Sequence, residues 1–209
     1  MEFALLFLPL LASVTSGFFG KYIGDRNSEI VTSLFVSISA LLSLIIFYQV
    51  IVNNYENNVV VATWINSGTL EVDWSIKIDS LSSVMLVVVT LVSSLVHIYS
   101  IGYMSHDPHK PRFMAYLSLF TFAMLTLVTS DNFLQLFFGW EGVGLCSYFL
   151  IGFWFKKDSA NAAAIKAFVV NRVGDFGFAL GIFLIFYLFG TVNYSEVFQQ
   201  IPQIIDKEL

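Results

Sequence analysis

Four charged side chains stand where charge is expensive. Glu141 lies in Phe137-Phe138-Gly139-Trp140-Glu141-Gly142-Val143-Gly144, inside an apolar run from Phe133 to Phe155. Lys166, Arg172 and Asp175 lie in the next run, from about Ala162 to Phe189. Glu141 is eight residues into its run, about 12 Å deep on a helix. A carboxylate at that depth is costly unless it is paired, hydrated or protonated. A Glu held close to neutrality takes up and releases protons, which is what a proton relay requires. The alternative is a protonated Glu that packs statically against a hydrogen-bonding neighbour. The flanking glycines let another helix or a file of water approach closely.

Arg172 and Asp175 are three residues apart and share a helix face, so they are expected to pair. Such a pair either belongs to the relay or only orients helices. Asp175 lies near mid-span, while Lys166 sits close enough to the basic end of its run to snorkel to the interface. Two consecutive spans that both carry charge can together make a polar path across a membrane. Weaker signals stay in the background. His97 is read as a hydrogen-bonded packing residue, Gly177 and Gly181 as a small-residue contact pattern, and Asp79 as a helix cap. The sequence has no His/Cys cluster, phosphate loop or dinucleotide fingerprint, so it shows no nicotinamide, flavin, quinone or iron–sulfur chemistry of its own.

The elements that must position these residues are membrane helices. Of the 209 residues, 57% are hydrophobic and only 12% charged. Soluble domains carry about 25% charge. The mean hydropathy is +0.78. Runs of about 20 apolar residues, enough to cross the roughly 30 Å hydrocarbon core, recur at about Phe3–Phe19, Ile30–Val52, Leu81–Tyr103, Phe113–Val128, Phe133–Phe155 and Ala162–Phe189. The predicted fold is an all-α integral membrane protein of about six transmembrane helices. The last run is longer than the core, which predicts tilt or protrusion. Between the second and third spans, the polar stretch 53–80 holds Thr63-Trp64-Ile65 and Leu70-Glu71-Val72-Asp73-Trp74-Ser75-Ile76, which alternate apolar and polar residues around Asn66-Ser67-Gly68. That pattern predicts a small extramembrane hairpin whose Trp64 and Trp74 suit the interface. The stretch 190–209 is polar with scattered Ile and Val, and predicts an interfacial or connecting helix.

Lys21, Arg26, Lys110, Arg112, Lys156 and Lys157 fall in alternate loops on one side, whereas the other side holds Lys77 and Lys207. The bias places the first side in the cytoplasm or matrix, with the N-terminus, hairpin and tail opposite. The start, Met1-Glu2-Phe3, has neither a basic n-region nor an Arg- and Ser-rich amphipathic segment, so the first run is read as a retained helix. The single Cys146 provides no disulfide framework.

Two strings carry a family resemblance. Gly139-Trp140-Glu141-Gly142-Val143-Gly144-Leu145-Cys146-Ser147-Tyr148-Phe149-Leu150-Ile151-Gly152-Phe153-Trp154 resembles the signature of the subunit 5 family of NADH:ubiquinone oxidoreductase, respiratory complex I. So does Ala162-Ala163-Ala164-Ile165-Lys166-Ala167-Phe168-Val169-Val170-Asn171-Arg172-Val173-Gly174-Asp175. His97-Ile98-Tyr99-Ser100-Ile101-Gly102-Tyr103-Met104 is similar to the same family at the corresponding place. The wider group includes the other antiporter-like subunits and the large subunit of multi-subunit Na⁺/H⁺ antiporters. The Asn-Arg-Val-Gly-Asp string favours the subunit 5 branch.

The resemblance implies a proton-conducting half-channel. Glu141 matches the key membrane carboxylate of the fifth helix, coupled in the family to a Lys on the seventh. Arg172 and Asp175 match the polar pair of the sixth, near the neighbouring antiporter-like subunit, with Lys166 in the relay set. Family members have two inverted five-helix repeats and a long lateral helix, an architecture known among membrane transporters. By that pattern residues 1–112 hold three lead-in helices with the loop 53–80, 113–189 the first three helices of a repeat, and 190–209 a connector. The coupled Lys is then expected on a second chain carrying the rest of subunit 5, so that within this chain Glu141 is expected to lack that Lys as its counter-charge. Further expected partners are other complex I membrane subunits, especially the adjacent subunit 4, and membrane lipids, with no nucleic acid. No cofactor is expected in this chain; flavin, iron–sulfur clusters and quinone belong to other subunits. High Phe, Ile and Asn usage points to the mitochondrial inner membrane. A bacterial plasma membrane and a cation/proton antiporter subunit are the alternatives.

Overall fold

The structure is a computed structural model that describes the backbone of residues 1–208 and the side chains of residues 1–202. Leu209, the last residue of the expected connector, and the side chain of Lys207 lie outside the described residues.

Among the described residues six helices are long and apolar enough to cross a membrane: α1 (Glu2–Ile23), α2 (Asp25–Asn53), α3 (Ser80–Tyr103), α4 (Lys110–Val128), α5 (Phe133–Ile151) and α6 (Asp158–Phe189). A further helix, α7 (Tyr194–Glu208), follows α6. The helical part and the six spans agree with the sequence expectation, and the chain is a multi-pass membrane protein. Most helices start or end a few residues outside the apolar runs, because polar residues extend a helix into the interface. At α5 the reverse holds: the helix ends at Ile151, and Gly152 to Phe155 turn away into the connection to α6.

α1 to α4 form a bundle, α5 packs on α4, and α6 packs on α5. The bundle interior is polar at mid-height. Ser43 and Thr90 hydroxyls lie 2.7 Å apart, Ser37 and Ser94 2.8 Å, and Ser93 and Thr121 2.5 Å. In lipid there is little hydrophobic drive between helices, so such hydroxyl pairs and close packing hold them together. Asp79 caps α3 as expected. Its carboxylate accepts from the Ser82 amide at 2.7 Å, and the Ser82 hydroxyl receives the Asp79 amide, also at 2.7 Å.

The hairpin is longer than its alternation showed. β1 (Asn57–Ser67) and β2 (Leu70–Ile78) are antiparallel. The missed start of β1, Asn57 to Ala62, holds the unbroken apolar run Val59 to Ala62, and the register shifts between Val60 and Ala62 and again between Thr63 and Ile65. Two-residue periodicity cannot appear across such irregularities. Gly68 takes the left-handed turn position at φ 62°. Ile76 and Ile78 of β2 bury themselves with Leu5, Leu6, Ile46, Val50, Leu86 and Leu125, closing the bundle above its polar layer.

The turn between α4 and α5 clamps the free edge of β2. The Gln135 side-chain amide makes both edge bonds to Ser75, receiving its N–H at 2.9 Å and donating to its carbonyl at 2.7 Å. Asn132 caps α5 by accepting from the Gln135 amide at 2.7 Å, and donates to the Asp73 carbonyl at 2.9 Å. Lys77 N–H donates to the Thr129 carbonyl at 2.9 Å. An otherwise exposed strand edge is thereby satisfied.

Candidate functional site

α5 and α6 bring three of the four expected site residues together. Glu141 is the ninth residue of α5, at the middle of a 19-residue helix. Arg172 and Asp175 sit near the middle of the 32-residue α6. Arg172 Nη1 donates to Glu141 Oε2 in a direct ion pair. The same nitrogen lies 3.8 Å from Asp175 Oδ2. Trp140 Nε1 donates to Asp175 Oδ1 at 2.7 Å. The result is a run of four polar groups, Trp140, Asp175, Arg172 and Glu141, spanning the α5–α6 contact at mid-membrane.

Arg172 pairs with Asp175 at 3.8 Å, as their spacing along α6 suggested, and also bonds Glu141 directly, because the α5–α6 register places the guanidinium opposite Glu141. α6 thus gives Glu141 a cation in addition to the seventh-helix Lys that the resemblance implies. The glycines beside Glu141 admit a neighbouring helix, one of the two approaches expected of them. A Cβ on Gly139 would come within 2.7 Å of the Leu127 backbone of α4, and one on Gly142 within 3.1 Å of Ala123, while Gly144 has open space.

Lys166 is not brought to this group. It is exposed on α6, six residues and about 9 Å along the axis from Arg172, and makes no ion pair among the described residues. Gly177 and Gly181 likewise face open space.

The site is enclosed unevenly. The Asp175 residue is 7% exposed, whereas the side chains of Glu141 and Arg172 are 21% and 41% exposed. The Arg172 guanidinium rests 4.5 Å from the Phe168 ring, a favourable face for a planar cation. Toward the hairpin, Val72, Ile182, Val192, Phe137 and Phe178 form an apolar layer. Trp74 and Phe138 rings meet 4.9 Å apart, tying the hairpin to α5. The charged group thus has an apolar seal on the hairpin side, and Arg172 opens laterally along the uncovered face of α6.

Sequence reasoning missed Trp140 as a site residue. Its proximity to Glu141 in the chain was visible, but the two side chains leave α5 in different directions, and only the docked α6 shows that Trp140 fixes Asp175. His97 is fully buried. Its Nδ1 lies 2.8 Å from the Ser93 carbonyl, which makes Nδ1 the donor, and Nε2 accepts from Ser118 at 3.0 Å. That is the packing role expected of it.

Comparison with known proteins agrees with the two signature strings. The family model described as NADH-Ubiquinone oxidoreductase (complex I), chain 5 N-terminus matches residues 64–114. The model described as NADH:quinone oxidoreductase/Mrp antiporter, TM matches residues 130–208. NADH-ubiquinone oxidoreductase chain 5 of Triticum aestivum is 58% identical over 198 residues, covering 95% of this chain and 30% of that protein. The Chondrus crispus chain 5 is 54% identical, covering 97% of this chain and 30% of its own length. NADH-quinone oxidoreductase subunit L of Rickettsia bellii is 51% identical, covering 98% and 32%. The chain therefore spans about a third of the length of these curated relatives. The fold is shared with a chain of the membrane-bound sulfane sulfur reductase, an archaeal respiratory membrane complex, at a TM-score of 0.80 and 19% identity, covering 94% of this chain and 39% of that one. It is shared too with the Mrp complex of Dietzia sp. DQ12-45-1b, at 0.76 and 22%, covering 93% and 20%. These relatives are subunits of multi-subunit membrane complexes. Both models match in chain order, and these relatives are above half identical along nearly all of this chain, so it is similar to an N-terminal portion of NADH:ubiquinone oxidoreductase chain 5.

Proposed function

We propose that this chain forms the first part of the proton-translocating module of complex I subunit 5, coupling NADH:ubiquinone oxidoreduction to proton movement across the mitochondrial inner membrane. The observation that carries this reading is the mid-membrane run Trp140–Asp175–Arg172–Glu141. Arg172 is held by two carboxylates at once. When Glu141 takes a proton it loses its hold on the guanidinium, which then settles on Asp175. When Glu141 releases the proton it draws the guanidinium back. In this scheme Glu141 changes charge, Arg172 is the moving counter-charge, and Asp175 is the anchor that the Trp140 indole keeps in place. Lys166, six residues toward the basic side and without a contact to this run, is assigned to the basic interface. A buried or half-buried carboxylate with a close cation is the kind of group that relays use.

The partner helices of the family, whether carried by a second chain or the same one, would cover the open side of α6 and supply the Lys coupled to Glu141. Subunit 4 is the expected neighbour. Flavin, iron–sulfur clusters and quinone are assigned to other subunits, where the electron chemistry takes place. The organellar location is supported by the composition, rich in Phe, Ile and Asn.

The test is NADH-driven proton uptake in vesicles containing the purified complex with Glu141→Gln. The expected result is NADH oxidation with protons moved per NADH reduced well below wild type. Unchanged proton movement overturns the reading. Sodium-dependent proton flux without NADH, from a preparation lacking dehydrogenase subunits, replaces it with a cation/proton antiporter.

A further inference from the structure

The residues that follow α6 tie its end back to the start of α5. Gly190 ends the helix in the left-handed conformation, at φ 69°, where a residue without a Cβ is favoured. Asn193 then pairs antiparallel with Asn132, the cap of α5. Phe133 N–H donates to the Val192 carbonyl at 3.0 Å, and Tyr194 N–H donates to the Asp131 carbonyl at 3.2 Å. The Tyr194 side chain closes on the same turn. Its hydroxyl lies 3.1 Å from that of Ser130, and its ring meets the Phe133 ring edge-on at 4.7 Å. Lys77 of β2, paired with Asp131 at 3.0 Å, stands 5.6 Å from the centre of the Tyr194 ring. Each of these contacts is made to β2, the α4–α5 turn or the start of α5, and none uses the open side of α6 that further helices of the family would cover.

The charged group at mid-membrane is sensitive to the height of α6 on α5. Arg172 Nη1 bonds Glu141, while its 3.8 Å separation from Asp175 is already beyond hydrogen-bond range. Sliding α6 along α5 by one residue's rise, about 1.5 Å, is enough to separate a bonded pair from an unbonded one. Between Asp175 and the end of α6 the contact with α5 is apolar: Phe178 meets Phe137 at 5.5 Å, and Ile182 lies in the same layer. Burial of that kind is non-directional and holds height loosely. Hydrogen bonds are directional. At mid-membrane the Trp140 bond to Asp175 supplies one, and at the hairpin side the paired backbone around Tyr194 supplies the others.

We propose that Tyr194 is a positioning residue of the relay: its N–H, ring and hydroxyl hold the end of α6 on the α4–α5 turn and so set the height at which Arg172 meets Glu141. The inference rests on the relay reading above. Because Lys77 grips both Asp131 and the Tyr194 ring, the hairpin belongs to the same hold.

The test compares Tyr194→Phe, Tyr194→Ala and Tyr194→Pro in the intact complex reconstituted in vesicles. Phe keeps the amide and the ring, and Ala keeps the amide alone. Pro removes all three contacts while suiting the first position of α7. Protons moved per NADH are expected to stay near wild type with Phe, to fall with Ala and to fall further with Pro, at an unchanged KM for quinone. The infrared band of the Glu141 side chain, identified by its loss in Glu141→Gln, is expected to shift in the Ala and Pro variants as its charge-assisted bond to the guanidinium changes. A contact serving stability alone leaves that band in place. If the Pro variant does not assemble, the Ala variant supplies both readouts. Wild-type coupling in the Ala and Pro variants overturns the proposal, since the helices over the open side of α6 then hold its height by themselves. A fall in coupling with an unshifted band overturns it as well. Normal pumping by Glu141→Gln sinks the relay reading itself, whereas impaired pumping there beside normal Tyr194 variants sinks this inference alone.

Discussion

Asp175 accepts from the Trp140 indole with one oxygen and faces Arg172 with the other, so its two roles separate by substitution. Asp175→Asn keeps an acceptor for the indole and removes the charge, whereas Asp175→Leu removes both. Both variants are expected to lower protons moved per NADH. Only the Leu variant is expected to lose stability as well, by about 1–3 kcal/mol for an indole N–H left without a partner. Thermal unfolding of the detergent-solubilised complex, followed alongside pumping, distinguishes them. Outside the spans, burial works to raise the Asp107 carboxyl, but it is outweighed by the hydrogen bonds from Trp154 and His109 and the charges of His109 and Arg112. The group therefore sits below its ordinary 3.8. A carboxylate lowered on folding stabilises the fold above its ordinary value, and that contribution is lost as pH falls through the lowered one. Trp154 fluorescence is expected to change with a midpoint below 3.8. In Trp154→Phe, hydrogen–deuterium exchange at the His109 amide should open at a higher pH than in wild type.

At the scale of elements, α4, α5 and the hairpin depend on a few close approaches. Gly139 lets the α4 backbone come so near that any Cβ would meet Leu127 at 2.7 Å. Gly139→Ala must push α4 from α5, at a cost of about 1–3 kcal/mol. The same shift moves Glu141, two residues on, relative to Arg172, so pumping should fall with stability. Gln135 acts as a piece of strand, completing β2 at Ser75. Gln135→Leu leaves both Ser75 backbone groups buried and unpaired. Hydrogen–deuterium exchange at Ser75 should speed up roughly tenfold or more, as expected for a loss of about 1–3 kcal/mol. Exchange within the middle of α3, which the clamp does not touch, should stay unchanged. The hairpin was legible as an alternating stretch around Asn66-Ser67-Gly68. Its clamp was not, since nothing local marks a Gln in an apolar run as the partner of a strand 60 residues earlier.

For the whole molecule, the even number of spans returns the chain to its starting side, so the N-terminus, hairpin and α7 share one face. Contacts across that face agree. Tyr55 donates to Glu2 at 2.7 Å, and Lys77 pairs with Asp131 at 3.0 Å. On the opposite face Lys110 lies 4.0 Å from Glu29. With the basic loops toward the matrix or cytoplasm, a membrane-impermeant amine reagent is expected to modify Lys156 and Lys157 from that side alone. Modification from the hairpin side would reverse the assigned orientation.

The sequence by itself determined the solvent, the number of spans and the residues that bear charge at depth. Those properties depend on local composition and on counting along the chain, because lipid penalises each exposed charge and each unpaired backbone group independently of its distant neighbours. The resemblance, too, was legible in the strings around Glu141 and Arg172. Only the tertiary structure decided which charges meet. Arg172 could be paired on paper with Asp175 through helical spacing, yet its direct partner Glu141 is 31 residues away and on another helix. Trp140 becomes a holder of Asp175, and Gly139 becomes a seat for α4, for the same reason. The rotation and height of one helix against the next are set by the summed packing of both faces, and no run of residues within a single helix contains that information.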